Sequence, residues 1–421
     1  MKPAPGHIRG GGPGPIPSRR QFLERTGGAA TVFGLAGASA RAQRRPRPVR
    51  VGLVHPVSGF LAFSGNQCRI GALMAIAQAN ARGGIASLGG APIEPLLGDA
   101  QSKPEVGAAE VERMNEAGAA AIVGAYASSI TLTTTQRAAR YGMPHIVDVG
   151  VSDRIVERGL ENTFRFCPGY GTVARTAVDN LVAINRRAGN PARTAVIVHE
   201  ESLFGTGTAA LLKRSLPEHG FEVLDVFRHA NPTRDFTNII LKIRALAPDL
   251  VIPANYYNEY ILFTRTMHQY GLRPKAVYSV LGGTASSYKF LEDFPRLSQH
   301  LMDCNHWFDP RDARAHRLRD MAEQAGHHFT YELFLAYSAT NLLIDAIERA
   351  ASADRGRLTE ALAQSRWDNH FMPYGPTRFV NGQNTGARPL NTQIIGDAIE
   401  TIYPPRYATA APVFPIPEID A

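Results

Sequence analysis

The sequence predicts an α/β fold with two lobes, each built around a parallel sheet. Short β-branched runs alternate with segments of helical spacing in two successive series, one from Val49 to Val149 and one from Tyr170 to Val280. Such alternation is typical of parallel sheets joined by right-handed crossovers. The 421 residues also suffice for two or three lobes of about 100–200 residues each.

The individual elements follow from apolar spacing and from their end signals. The first helix ends at Gly83-Gly84, and the second has Pro104 in its first turn and Gly118 after its end, as helix termini favour. The strand candidates are VRVGLVH, PIEPLLGD, AAAIVG, PHIVDV, TAVIVHE, FEVLDVF, DLVIPA, AVYSV and, in the tail, PTRFV and NTQIIGD. The helix candidates are 65–81, 104–117, 129–141, 170–187, 205–219, 235–246, 257–270, 312–326 and 329–351.

The first 42 residues are expected to lie outside the fold. Ser18 to Leu23 reads SRRQFL, an apolar stretch runs from Gly27 to Ala40, and a small-x-small site follows at Ala40-Arg41-Ala42. This order resembles a twin-arginine signal peptide at 1–42, with a transit peptide or a disordered tail as the alternative. Residues 43–48 are an Arg/Pro-rich linker. No apolar stretch reaches the ~20 residues of a membrane span, so we expect a soluble periplasmic protein.

Charge and cysteine content exclude several classes of protein. The net charge is +8, but residues 1–42 hold six Lys/Arg and one Glu, so most of the excess lies in the signal and linker. The body is close to neutral, which argues against a nucleic-acid partner. Three cysteines are too few for a disulfide scaffold, and their spacing matches no zinc motif.

Catalytic and cofactor motifs are not found. The chain contains no G-x-S-x-G, no H-E-x-x-H and no phosphate loop ending in G-K-S/T. Gly205 to Ala210 matches the dinucleotide pattern G-x-G-x-x-A, but it stands several residues beyond its strand, and a glycine-rich helix start explains it better. We therefore predict no enzyme activity, no cofactor and no metal.

The stretch AYASSITLTTTQ places many hydroxyls directly after the buried run AAAIVG. Ligands of parallel α/β sheets bind at the carboxyl ends of strands, and a helix N-terminus with hydroxyl donors suits a carboxylate. Ser129 is expected to cap the following helix, which leaves Ser128 to contact a ligand.

Several stretches, in the same order, resemble one family. They are VGLVHPVSGFLAFSGNQCRIGALMAIAQANARGGI, VGAYASSITLTTTQRAARYGMPHI, ESLFGTGTA, DFTNIILKIRALAPDLVI and GPTRFVNGQNTGARP. From Val49 to about Pro404 the chain is similar to the type I periplasmic solute-binding proteins of ABC importers, the group of Leu/Ile/Val-binding proteins. The resemblance implies two Rossmann-like lobes, a three-crossover hinge, a ligand in the cleft, an ABC permease as partner and a monomeric state.

The resemblance also assigns residues to the cleft. The family's carboxylate-binding serine corresponds to Ser128, with Ser129 beside it. The first loop contributes Ser64, Phe204 is a lid over the ligand, and Asn255 and Tyr256 follow a strand of the second lobe.

Two departures from the family pattern bear on the ligand. Where amino-acid binders carry a small residue and a threonine for the head group, this chain has Gly150 and Val151, with Ser152 next. Where they place a glutamate that pairs with the ligand's ammonium, this chain has Leu281.

An ammonium buried without an anionic partner is unfavourable by several kcal/mol. The prediction is therefore an aromatic or aliphatic organic acid, or an amide, without an α-ammonium. The alternative is an amino acid whose ammonium pairs with Glu259 or Glu201.

The lobe boundaries and the hinge cysteines are further expectations from the resemblance. The N-terminal lobe is 49–166 plus 305–375, and the C-terminal lobe is 167–304 plus 376–421. Cys167 and Cys304 lie near two crossovers and either form a disulfide or remain separate thiols. A ligand-sensing receptor of the same fold and an exported α/β enzyme are the competing classes.

Overall fold

The computed structural model describes residues 46–417, so the predicted signal peptide lies outside the described residues. Fourteen strands and eleven α-helices are described in this range. The strands are β1 Val49–His55, β2 Ile93–Asp99, β3 Ala121–Gly124, β4 His145–Val147, β5 Thr163–Arg165, β6 Thr194–Glu200, β7 Glu222–His229, β8 Leu250–Ala254, β9 Ala276–Val280, β10 Met302–Asn305, β11 Phe379–Val380, β12 Gln383–Asn384, β13 Leu390–Ile395 and β14 Ala398–Tyr403. The helices are α1 Ala62–Ala81, α2 Pro104–Glu116, α3 Ser128–Ala139, α4 Tyr170–Arg187, α5 Leu203–Glu218, α6 Thr237–Leu246, α7 Tyr257–Gln269, α8 Tyr288–Asp293, α9 Ala313–Gln324, α10 Tyr331–Ala350 and α11 Arg355–Ala363.

The strands form two seven-stranded sheets. The first has the order β11-β12-β5-β4-β3-β1-β2, and the second has the order β14-β13-β10-β9-β8-β6-β7. Pairing is parallel in the central strands and antiparallel at β11/β12, β10/β13 and β13/β14. This confirms two α/β lobes with parallel-sheet cores, because each sheet is completed by a late hairpin at one edge only.

The chain passes from the first sheet to the second later than expected. The hairpin at Phe379–Asn384 joins the first sheet, where Gln383 pairs with Arg165 of β5. The predicted boundary between residues 375 and 376 therefore falls too early, since the chain reaches the second sheet only at β13. Four further elements were not predicted from the sequence, namely α8, β10, α11 and β14.

Close packing of α1 on α10 fixes the first lobe beside the cleft. A Cβ atom on Gly71 of α1 would lie 2.0 Å from the carbonyl oxygen of Leu333 in α10. Only glycine fits this contact between two backbones. In residues 46–417 no helix has the length and apolarity that a bilayer crossing requires.

The disulfide alternative is not realised. Cys68, Cys167 and Cys304 are all buried free thiols. Cys167 Sγ lies 3.9 Å from the carbonyl oxygen of Gly150, whereas Cys304 contacts Tyr278 on the neighbouring strand. The two hinge cysteines therefore face different surroundings. Burial raises the pKa of Cys167 to about 12, so this thiol stays protonated.

Candidate ligand-binding cleft

A cleft with about 340 Å³ of empty space lies where loops from the two sheets meet. Its walls come from segments that directly follow β3, β4, β8, β9 and β10 and from the first turns of α5 and α10. The lining residues are Tyr126, Ser128, Val149, Val151, Phe204, Asn255, Tyr256, Leu281, Gly282, Asn305, His306 and Tyr331.

The loop from β3 to α3 presents an open helix N-terminus to the cleft. Ala127 is the N-cap residue, and no side chain caps the helix. The first N–H groups of a helix have no partner within the helix, so they are available to a ligand. Ser128 Oγ accepts a hydrogen bond from Ser152 N at 3.2 Å, which leaves its hydroxyl proton free to donate.

A buried carboxylate fixes this loop from behind. Asp148 Oδ1 accepts the N–H groups of Tyr126 at 3.3 Å and Val149 at 2.7 Å, and both residues line the cleft. Asp148 Oδ2 lies 2.8 Å from His55 Nε2, and both side chains are fully buried. Desolvation favours the neutral carboxyl, but the hydrogen bonds outweigh it and lower the pKa of Asp148. The ionised carboxylate holds Tyr126 at φ +63°, a left-handed conformation that is unfavourable for a tyrosine.

The second sheet contributes an aromatic wall. The rings of Phe204 and Tyr256 lie 5.2 Å apart, and Tyr256 is 5.9 Å from Tyr126 of the first lobe. The buried Glu200 fixes the backbone beside Phe204, because its Oε1 accepts the N–H of Gly205 at 2.6 Å. These rings therefore close the cleft across both lobes.

Three polar side chains in the cleft have atoms without a partner among the described residues. Asn305 Oδ1 accepts the N–H of His306 at 2.8 Å, and its amide nitrogen is unpaired. Asn255 contacts His229 at 3.0 Å through one amide atom, and the other is unpaired. Both ring nitrogens of His306 are unpaired, and burial lowers its pKa to about 3, so the ring is neutral. Buried polar atoms are normally hydrogen-bonded, so these groups are free for a ligand.

The side chains that line the cleft in the described part of the chain are all uncharged in type or neutral. Within residues 46–417 its lining contains no Asp, Glu, Lys or Arg. Leu281, at φ +60°, lines the wall at the position where the resemblance implies a glutamate in amino-acid binders. Glu259 is buried in the first turn of α7 but does not line the cleft, and Glu201 lies on the surface, 3.9 Å from Arg228.

One buried acid lies directly behind the wall. Glu332 follows the lining residue Tyr331, and Ser64 of α1 hydrogen-bonds to it. Desolvation raises the pKa of Glu332 to about 7. Ser64 therefore supports the wall and does not form it.

Six of the ten predicted site residues line the cleft: Ser128, Val151, Phe204, Asn255, Tyr256 and Leu281. The other four, Ser64, Ser129, Gly150 and Ser152, lie next to lining residues or behind them. The prediction that Ser129 caps α3 is wrong. Helix α3 already includes Ser128, and Ala127 is at the cap position.

Six residues that line the cleft were not predicted from the sequence: Tyr126, Val149, Gly282, Asn305, His306 and Tyr331. Tyr126 stands two places before Ser128 in the same loop, so its position after the strand was the signal that could have identified it. Asn305 is the last residue of β10 and His306 follows it, and β10 had not been predicted as a strand. Their position at a carboxyl end was therefore not visible.

One group of possible metal ligands lies outside the cleft. His55, Cys68 and Asp148 offer ligand atoms within 4.8 Å of one another. The 2.8 Å separation of His55 Nε2 and Asp148 Oδ2 is that of a hydrogen bond. Two ligands at about 2.0–2.2 Å from a tetrahedral ion would stand further apart. The group is therefore a hydrogen-bonded network as it stands.

Two α/β lobes around a closed cleft with uncharged polar groups define a ligand-binding protein. Residues 48–395 match the family described as periplasmic binding protein. The chain is 24% identical over 392 residues to the Leu/Ile/Val-binding protein homolog 7 of Brucella melitensis, which covers 89% of this chain and 94% of that protein.

Solved structures share the fold. The branched-chain amino acid transporter binding protein LivJ of Streptococcus pneumoniae, in complex with isoleucine, has a TM-score of 0.73 at 18% identity and covers 84% of this chain and 98% of its own. A substrate-binding protein of Desulfitobacterium hafniense in complex with leucine has a TM-score of 0.68 at 18% identity, with 84% and 100% covered.

The chain belongs to the periplasmic binding protein family. Members of this family are solute-binding proteins and not enzymes.

Proposed function

We propose that this chain is the extracytoplasmic solute-binding component of an ABC importer. It captures a small carboxylate- or amide-bearing solute in the cleft and delivers it to the permease. Closure of two lobes on a ligand is the motion such folds use. Export by the twin-arginine route, which rests on the SRRQFL stretch, and a monomeric state are parts of the same proposal.

The ligand's carboxylate binds at the N-terminus of α3. The open N–H groups there carry a partial positive charge, and the Ser128 hydroxyl adds a donor from the same turn. The Asn305 amide nitrogen supplies another donor on the opposite wall. The apolar part of the ligand packs between Phe204, Tyr256 and Val151.

The ligand lacks an α-ammonium. The observation that carries this point is the lining itself, which has no carboxylate among the described residues. A buried ammonium would pair there only with neutral groups, and the cost of desolvating a charge is several kcal/mol. An aliphatic or aromatic acid meets the donors and the rings without that cost.

A branched-chain amino acid is the second candidate. It is favoured by the two related structures, whose ligands are isoleucine and leucine. In this case the neutral His306 ring would have to accept a hydrogen bond from the ammonium, with the tyrosine rings alongside.

A thermal-shift screen of the mature protein separates the candidates. We compare leucine with 4-methylpentanoate, and phenylalanine with 3-phenylpropanoate, because each pair differs only in the amine. A ligand at 100 times its dissociation constant stabilises the protein by about 2.7 kcal/mol. A shift with the acids alone supports the proposal. A shift with the amino acids alone rejects the ligand class but leaves the importer role.

A further inference from the structure

A second and larger cavity lies away from the cleft. It has about 930 Å³ of empty space and shares no lining residue with the cleft. Its walls are formed by the end of α1, by α9, by the middle of α10 and by the segment 367–371. That segment is joined to the chain after β10, because Asp309 N donates to the Phe371 carbonyl at 2.8 Å.

Three arginines line this second cavity, and no acidic residue in the described range does. Arg314 is neutralised, since it forms a bidentate pair with Asp312, the shorter contact being 2.6 Å. Arg82 and Arg317 form no ion pair within residues 46–417. Both side chains are exposed, and Arg317 also acts on the nearby Asp312 carboxyl, whose pKa is lowered first of all by Arg314. The cavity therefore has a positively charged rim on a protein body that is otherwise nearly neutral.

The contact between α1 and α9 gives these two arginines a common reference point beside the cavity that both line. Gln78 Nε2 lies 3.3 Å from Met321 Sδ across the two helices. Arg82 stands four residues after Gln78, and Arg317 stands four residues before Met321. Residues four apart lie on one face of a helix, so each arginine is one turn from the contact point.

Aromatic rings form the other wall. Tyr337 and Phe371 lie with their rings 6.4 Å apart and nearly parallel, and Trp367 completes the surface. Trp367 and Phe371 are buried in the described fold. Ser338, 1% exposed, also lines the cavity, and its hydroxyl has no partner among the described residues.

We infer that this cavity is a second binding site for a dianionic small molecule with a flat ring. Guanidinium groups match phosphate oxygens in geometry and charge, and the rings of the wall stack on a planar body. Within residues 46–417 the cleft has no basic side chain in its lining, so substitution of the cavity arginines distinguishes binding at this site from binding in the cleft.

Isothermal titration calorimetry with phenyl phosphate on the mature protein tests this inference. The variants are Arg82→Gln and Arg317→Gln, with Arg140→Gln as the matched control. Arg140 follows α3 as Arg82 follows α1, it is exposed, and it has no ion-pair partner in the described chain. Inorganic phosphate serves as the probe without a ring.

We expect saturable binding of phenyl phosphate that each cavity variant weakens by about tenfold, the loss of one charge-assisted hydrogen bond. Arg140→Gln should leave the affinity unchanged, and inorganic phosphate should bind more weakly. No saturable binding, or equal losses in all three variants, would overturn the site. Equal affinity for inorganic phosphate would overturn the role of the aromatic wall.

Discussion

Asp148→Asn tests whether the carboxylate behind the cleft prepares it for ligand. The substitution keeps the size of the side chain but removes the charge that faces His55 and the N–H groups of Tyr126 and Val149. Hydrogen bonds to a charged group contribute about 1.5–3 kcal/mol to stability, so we expect the free energy of unfolding to fall by that amount.

The effect on binding follows from the backbone of Tyr126. A left-handed conformation costs a non-glycine residue roughly 1–2 kcal/mol, and Asp148 holds Tyr126 in it. Without that carboxylate, the loop leaves this conformation in the ligand-free protein. Ligand binding must then restore it, which lowers the affinity. We therefore expect affinity to fall by about tenfold. The assay is calorimetric titration with 4-methylpentanoate and with leucine.

Asp249→Asn is the matched control for this prediction. Asp249 Oδ2 also accepts two backbone N–H groups, of Arg193 at 2.7 Å and Thr194 at 3.0 Å, and its other oxygen pairs with Lys275. It precedes β8, at the end of the sheet opposite the cleft. We expect Asp249→Asn to lower stability and leave affinity intact. If Asp148→Asn did the same, the preparatory role of Asp148 would be refuted.

Four further substitutions and one thiol titration probe other parts of the molecule. Ser128→Ala should weaken binding of a carboxylate ligand by about 10-fold or more, whereas Ser129→Ala should change it less than about twofold; calorimetry checks both. Leu281→Glu should raise the affinity for leucine relative to 4-methylpentanoate by about tenfold, and an unchanged ratio would contradict the ammonium argument. The raised pKa of Glu332, about 7, means that the folded state holds a proton which the unfolded state releases above its ordinary value of 4.5. Its contribution to stability is thus present below pH 4.5 and is lost as the pH rises through 7. The free energy of unfolding of Glu332→Gln, measured in urea, should therefore rise relative to that of the wild type from pH 5 to pH 8. Thiol titration of the unfolded mature protein, without reductant, should count three free thiols; one thiol would mean that the two hinge cysteines are bonded.

Much of the fold could be predicted because its strands are buried on both faces. A run such as TAVIVHE has only one plausible place, the centre of a parallel sheet. The candidate PTRFV covers β11, but β12 was not predicted, because both strands of this hairpin are only two residues long and carry no period. Their pairing is decided by contacts with β5, which lies more than 200 residues away along the chain.

The candidate site was predictable to the extent that it follows strands already identified. Ser128, Asn255 and Tyr256 come directly after such strands. By contrast, Tyr331 reaches the cleft from the first turn of α10, and no local pattern in the sequence marks its direction. The support behind the wall, Asp148 with His55, depends on two residues 93 positions apart and becomes visible only in three dimensions.

A crystal structure of the mature protein with its tightest ligand would show directly which groups bind the polar end of that ligand. We expect a carboxylate or amide at the N-terminus of α3, in contact with Ser128, and no ammonium in the cleft. An amino acid whose ammonium is paired with an Asp or Glu side chain would contradict it.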